Sequence, residues 1–201
     1  EPFAPHLIKY AGPQGICMLD LDGSAGCHSS TIIEKIRKTE SGIPRLMGIV
    51  NVTPDSFHPA SRMQDHQSAI EAGLCFWKEG ADWIDVGGES TRPGAKPVEV
   101  ELELARVIPV IKGLREANAN GLISIDTRKV EVAKSAISSG ANLIKDISGL
   151  RNPEMFEFVS ANDIPVCIMH MQGNPDSMQQ DPDYGDCVSE ICNTLHSVAD
   201  R

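Results

Sequence analysis

The sequence predicts an α/β chain built as a (β/α) barrel. From residue 45 onward, short β-rich runs alternate with longer helical patterns, the signature of parallel strands joined by crossover helices. Nearly every predicted strand ends in a polar or glycine-rich cluster: Asn51, Gly87-Gly88-Glu89, Asp126-Thr127, Lys145-Asp146 and His170. Polar groups recurring at all C-terminal strand ends describe a barrel mouth. An open doubly wound sheet would gather them at one switch point, and the chain carries no GxGxxG or Walker A run of the kind such nucleotide-binding sheets use.

Each element follows from its own pattern. Residues 45–51 (Arg-Leu-Met-Gly-Ile-Val-Asn) form a buried strand. A helix over 66–80 places Ile70, Leu74 and Trp77 on one stripe and stops at Gly80. Residues 82–87 are the second strand. The second helix, 99–119, repeats Leu104, Ile108, Ile111 and Leu114 every three or four residues, with Pro109 inside it predicting a kink. Residues 122–126 are the third strand, followed by a helix over 130–139 ended by Gly140. Strands over 142–147 and 164–170 alternate with helices over 153–161 and 184–199. These are five βα units. At roughly 30 residues per unit, residues 45–201 are too few to close an eight-stranded barrel, so the C-terminal strands are expected to be missing from this chain. Residues 1–44 are read separately, as a hairpin capping the barrel floor or the tail of an upstream domain, with a strand at 16–19 and a helix at 30–38.

Composition narrows the partners. A formal net charge of −10 disfavours nucleic acid or an anionic membrane, so an anionic ligand would need local cations. No apolar run is long enough to span a membrane. Six cysteines without a CxxC pair point to a reducing cytoplasmic compartment and away from a structural zinc site.

Four segments could carry chemistry. In residues 51–57 (Asn-Val-Thr-Pro-Asp-Ser-Phe) a strand stops in a Pro-containing polar loop. That is either an ordinary turn or a loop over a site with Asn51 fixed at the rigid strand end. In residues 87–94 (Gly-Gly-Glu-Ser-Thr-Arg-Pro-Gly) two glycines permit close backbone approach. Ser90 and Thr91 supply hydroxyls there, and Arg92 offers a planar cationic fork for a carboxylate or phosphate; the alternative is a surface loop. Asp126 ends an apolar strand, where a carboxylate is costly unless paired. It suits a donor-rich heterocycle such as a 2-amino-4-oxopyrimidine, or else caps the next helix. His170, between Met169 and Met171, is either a base or ligand, or a packed strand-end histidine. No second His or Cys stands at metal-ligand spacing, so any Mg2+ is expected to ride on substrate phosphates with one or two protein oxygens.

Together these segments resemble dihydropteroate synthases, pterin-binding enzymes with the TIM (β/α)8 barrel fold. The matching runs are residues 47–57, 85–94, 124–127 (Ser-Ile-Asp-Thr) and 169–173 (Met-His-Met-Gln-Gly), in family order and spacing. The resemblance implies condensation of 6-hydroxymethyl-7,8-dihydropterin pyrophosphate with p-aminobenzoate, giving 7,8-dihydropteroate and pyrophosphate for folate biosynthesis. It implies that Asn51 coordinates Mg2+ on the pyrophosphate. Thr91 and Arg92 would hold pyrophosphate and shape the p-aminobenzoate pocket, and Phe57 and Pro93 would pack on the aminobenzoate ring. Asp126 would accept from the pterin ring and Met169 would wall the pterin pocket. A cytoplasmic homodimer is expected. The chain departs from the family pattern at Lys145, which stands where the family has a pterin-binding Asn. An Asn donates and accepts, whereas a Lys only donates and carries charge, so Lys145 would pair with Asp126 or reach toward pyrophosphate. The loop after Phe57 is less glycine-rich than is usual. Two rival readings are a non-catalytic pterin-binding paralogue and a methyltetrahydrofolate:corrinoid methyltransferase; the residue 90–94 loop argues against the second.

Overall fold

The computed structural model describes residues 7–10, 16–19, 45–52, 62–90, 97–174, 177–178 and 181–201. Two strands, β1 (Leu7–Tyr10) and β2 (Ile16–Leu19), form an antiparallel hairpin with Leu7 opposite Leu19. The predicted helix at 30–38 lies outside the described residues. From Met47 onward the elements alternate: β3 (Met47–Asn51), α1 (Arg62–Lys78), β4 (Trp83–Gly87), α2 (Val100–Ala117), β5 (Leu122–Asp126), α3 (Val130–Ser138), β6 (Leu143–Asp146), α4 (Pro153–Ala161), β7 (Val166–Ile168) and α5 (Cys187–Ala199). Strands β3 to β7 pair in chain order, every pair parallel. That is the sequential strand order of a (β/α) barrel wall.

The two faces of this sheet differ, because successive side chains in a strand alternate. Val50, Ile84, Val86, Ile123, Ile125, Ile144 and Ile168 point to the helices and join one core with Val107, Val110, Ile111 and Leu114 of α2. Burying each such side chain is worth about 1.5–3 kcal/mol. The opposite face carries Trp83, Leu143 and Cys167 in a second, smaller cluster flanked by Met47 and Leu122. Above that apolar floor the same face turns polar.

Most elements lie within two or three residues of their predicted limits. Helix α1 begins at Arg62, four residues before the expected 66. Helix α2 runs through Pro109 without a break in its span, and its fully buried stripe is Val107, Val110, Ile111 and Leu114. Leu104 and Ile108 sit at the margin of that stripe, half-buried against the core. Asn152 caps α4 by accepting from Glu154 N, with Pro153 in the first turn, and Asp186 caps α5 by accepting from Ser189 N. Arg115 staples the strand entries: its guanidinium donates to the carbonyls of Asn118, Ala119, Gly121 and Gly140 and to Asn142 Oδ1. Asn142 Oδ1 also accepts from Ile123 N at 3.0 Å. The loops before β5 and β6 are thereby fixed from one side chain.

Candidate active site at the strand ends

Parallel register places one residue from each strand in a single transverse row. Asn51 pairs with Gly87, Gly87 with Asp126, Asp126 with Lys145, and Lys145 with Cys167. The row sits at the C-terminal ends of the strands, on the face away from the helices. The ladder is pinned just beyond it: Val52 N donates to Gly87 O at 2.7 Å and Thr127 N to Lys145 O at 3.1 Å. The predicted residues Asn51, Asp126 and Lys145 are therefore brought together on rigid backbone.

The Asp126 side chain is 18% exposed and the Lys145 side chain 10%. Lys145 Nζ stands 2.9 Å from Asp126 Oδ2. It also donates to Asp85 Oδ2 in a short contact. Asp85 lies two residues before Gly87 on the same face and is 1% exposed. Of the two outcomes expected for Lys145, pairing with Asp126 is the one observed, with Asp85 as an additional partner below. Burial pulls the Lys145 pKa down, but the charges of Asp85 and Asp126 more than offset that and leave it raised. Burial is the largest effect on Asp126 and raises its pKa to about 7; Lys145 opposes the rise and the Asp85 charge adds to it. Asp126 does not cap the following helix. Lys129 holds the cap position, and Thr127 Oγ1 accepts from Lys129 N.

Gly87 leaves open space in the row between Asn51 and Asp126. A Cβ there would lie 3.5 Å from Asn51 Oδ1 and 3.5 Å from Asp126 Cβ, ordinary contact distances. Alanine at Gly87 therefore fits the fold but occupies the opening. Gly87→Ala is expected to change unfolding free energy by less than about 1 kcal/mol and to weaken the binding of a ligand that occupies the row about tenfold. Calorimetric titration and a denaturant melt check the two halves.

Met169 is 8% exposed and joins Ile147, Met171 and Met178 in an apolar cluster just past the ends of β6 and β7. It stands two residues beyond Cys167, beside the polar row. His170 is half-buried, with Nε2 3.1 Å from the Tyr184 hydroxyl. Burial and the nearby Arg151 charge lower its pKa. This is a packed strand-end histidine hydrogen-bonded to a tyrosine.

Two features escaped the sequence reading. One is Asp85, whose signal was a carboxylate between apolar neighbours in mid-strand. The other is a charged network at the rim. Glu89, with 8% side-chain exposure, accepts from Val98 N at 2.8 Å, Arg128 Nε at 2.9 Å and Lys129 Nζ at 2.6 Å. Lys129 also contacts Glu103, and Arg106 donates to Gly88 O at 2.6 Å. Burial alone would raise the Glu89 pKa, but the hydrogen bonds from Lys129 and Val98 and the Lys129 and Arg128 charges hold it below the usual glutamate range. Gly88 permits this close packing: a Cβ there would stand 2.8 Å from Val107 Cγ1 and 3.0 Å from Glu103 Cγ. Phe57, Thr91, Arg92 and Pro93 lie outside the described residues.

A row of polar side chains above an apolar floor, beside an apolar shelf, has donors and acceptors that would suit a flat polar ring. The family model "Pterin binding enzyme" matches residues 47–201, and the chain belongs to that family. Similar proteins and solved structures include several dihydropteroate synthases. The enzyme of Escherichia coli K12 is 45% identical over 148 residues, covering 74% of this chain and 52% of the relative. The chain thus spans about half the length of the curated relatives it matches. The Xanthomonas albilineans synthase with 4-aminobenzoic acid superposes with a TM-score of 0.67 at 44% identity, over 77% of this chain and 54% of that one. The Burkholderia cenocepacia synthase complexed with 7,8-dihydropteroate gives 0.64 at 41% identity, over 79% and 52%. At these identities the fold is that of the pterin-binding TIM barrel, of which β3 to β7 form five consecutive strands.

Proposed function

We propose that this chain supplies the pterin-binding half of a dihydropteroate synthase. The observation that carries the reading is the row Asn51, Gly87, Asp126 and Lys145 at the strand ends of a chain from the pterin-binding family. In this reading the 2-amino-4-oxo ring of 6-hydroxymethyl-7,8-dihydropterin pyrophosphate lies over Gly87. It donates to Asp126 and is walled by Met169 and Ile147. The p-aminobenzoate nitrogen attacks the exocyclic methylene, the C–O bond breaks, pyrophosphate leaves and the amine loses a proton. A neutral aryl amine is a sufficient nucleophile when the leaving group's charge is offset. In this reading Arg92 and Thr91 offset that charge, while Phe57 and Pro93 pack on the aminobenzoate ring.

Asn51 is the protein oxygen donor for Mg2+ in this reading. Its side chain is exposed at the rim, which fits a single contact to a cation carried mainly by the diphosphate. Among the described residues no three His, Cys, Asp or Glu side chains gather to hold a metal. Bound Mg2+ would neutralise charge on the departing pyrophosphate. The reading extends to a cytoplasmic homodimer, with residues 1–44 as an N-terminal segment outside the barrel units; gel filtration checks the dimer.

The test is direct. The full-length protein is incubated with the pterin pyrophosphate, Mg2+ and p-aminobenzoate, and dihydropteroate is measured. Product formation supports the reading; ring binding without product favours a non-catalytic pterin-binding paralogue. Within an active protein, Arg92→Ala is expected to lower kcat/KM about 30-fold, or about 2 kcal/mol for a lost charge-assisted contact, with an unchanged melting temperature. Unchanged kinetics would remove Arg92 from the site.

A further inference from the structure

The residues that leave β7 alternate in what they do. Met169 and Met171 join Ile147 in the apolar shelf, whereas His170 and Gln172 are tied to residues that lead into α5. His170 Nε2 is 3.1 Å from the Tyr184 hydroxyl, and the two rings are tilted by 48° with centroids 5.9 Å apart. Gln172 holds the backbone of Asp183 with both ends of its amide. Its Nε2 donates to Asp183 O at 2.5 Å, and Asp183 N donates to Gln172 Oε1 at 3.0 Å. Arg151 steadies the outgoing strand from α4's side, donating to Met171 O at 2.8 Å and to Gly173 O at 2.5 Å. Between these ties the chain turns back. Ser177 N and Met178 N both donate to Asn174 O, at 2.9 and 2.8 Å, and Met178 packs on the shelf.

The chemistry proposed above makes no use of His170 or Tyr184, yet the imidazole is a costly choice for packing alone. His170 Nδ1 is buried without a hydrogen-bond partner among the described residues, and such an atom carries a desolvation penalty. A phenyl ring would fill similar space without it. What the imidazole adds is its bond to Tyr184. That bond matters because of what lies beside it. Methionine is unbranched and flexible, so a wall made from Met169, Met171 and Met178 keeps one shape only while its backbone is held. A wall ordered in advance spares a ligand the cost of ordering it.

We propose that the His170–Tyr184 hydrogen bond is a latch that pre-shapes the methionine shelf, which makes His170 and Tyr184 positioning residues for the ring bound against it. The proposal rests on the pterin-binding reading above. The size of the effect is bounded. A ligand can lose no more than the latch itself contributes, so deleting one neutral hydrogen bond weakens binding about fivefold and not a hundredfold.

The test compares the intact protein with Tyr184→Phe, His170→Phe and the double variant. Tyr184→Phe deletes one hydroxyl, and His170→Phe keeps a ring while removing the unpartnered Nδ1; each is expected to melt within about 4 °C of the unmodified protein. Methionine methyl groups are labelled and their NMR signals recorded without ligand. The signals of Met169, Met171 and Met178 are expected to shift in every variant, while that of Met155, in the helix-side core, stays in place. Calorimetric titration with 6-hydroxymethylpterin is expected to show about fivefold weaker binding in each single variant and no further loss in the double variant, because either change removes the same bond. That non-additivity is a readout that two separate structural roles would not produce. Unmoved shelf signals overturn the latch. Shifted signals with unchanged ring affinity overturn the positioning role, and additive losses overturn the pairing of the two residues. Failure of the ring to bind the unmodified protein overturns the pterin reading itself, and the ligand-free methyl signals then still decide whether the latch shapes the shelf.

Discussion

Asp126→Ala is expected to weaken pterin binding at least about 100-fold without costing stability at pH 7. The binding loss follows from hydrogen bonds to a charged acceptor, each worth about 1.5–3 kcal/mol when the donor would otherwise be left unpaired. Two such bonds to one ring edge exceed the roughly 2.7 kcal/mol that corresponds to 100-fold. The stability half follows from electrostatics. Burial and the neighbouring Asp85 charge penalise the ionised form of Asp126, and Lys145 only partly compensates. When Asp126 is removed, Lys145 keeps Asp85 as its partner. The pH dependence has a definite sign. An unperturbed aspartate carboxyl loses its proton near 3.8, whereas folded Asp126 holds it to about 7. Between those values the folded state binds more protons, so this group's contribution favours folding at low pH and declines as pH rises toward 7. Asp126→Asn removes that decline. The variant's stability relative to wild type is therefore expected to increase from pH 4 to pH 7 in denaturant melts. A variant that loses stability at pH 7 and binds the ring normally would show Asp126 to be structural.

Lys145→Met is expected to destabilise the chain by about 3–5 kcal/mol, the usual cost of removing one member of a buried ion pair. Methionine matches the length of the aliphatic stem, so packing changes little. What remains is Asp85, 1% exposed, with one oxygen already lacking a partner and the other newly stripped. The double variant Asp85→Asn with Lys145→Met is expected to recover part of the loss, because the stranded charge is gone. Urea unfolding of the two single variants and the double variant gives the coupling energy directly. A Lys145→Met loss below about 1 kcal/mol would mean that the pair behaves as an exposed one.

Strand and helix order was legible because each βα unit carried its own signals. Residues 122–126 and 153–161 were predicted at the limits observed. The boundaries that moved did so for local reasons. Strand β7 is three residues long rather than seven, because Ile164 and Pro165 precede its paired residues and Met169 and His170 lie past the last pair, Asp146 with Ile168. The deepest stripe of α2 keeps Ile111 and Leu114 of the predicted row and takes Val107 and Val110 where Leu104 and Ile108 were expected, because a period of 3.6 leaves neighbouring rows nearly equivalent until the partner sheet chooses between them. The shared row of Asn51, Asp126 and Lys145 was legible, since polar residues closing apolar strands are costly unless used. Asp85 was not, although it sits in an equally apolar strand. Its partner comes from a residue 60 positions later in the chain, and no local pattern encodes that pairing. The Glu89–Lys129–Glu103 network was hidden for the same reason.

In the proposed function one row of strand-end side chains holds a pterin ring over Gly87. A crystal structure of the protein with bound 6-hydroxymethylpterin tests it most directly. The ring should lie against Gly87, within hydrogen-bond distance of both Asp126 and Lys145, about 2.7–3.2 Å, with Met169 at its edge. A ring bound elsewhere, touching neither Asp126 nor Lys145, would contradict it.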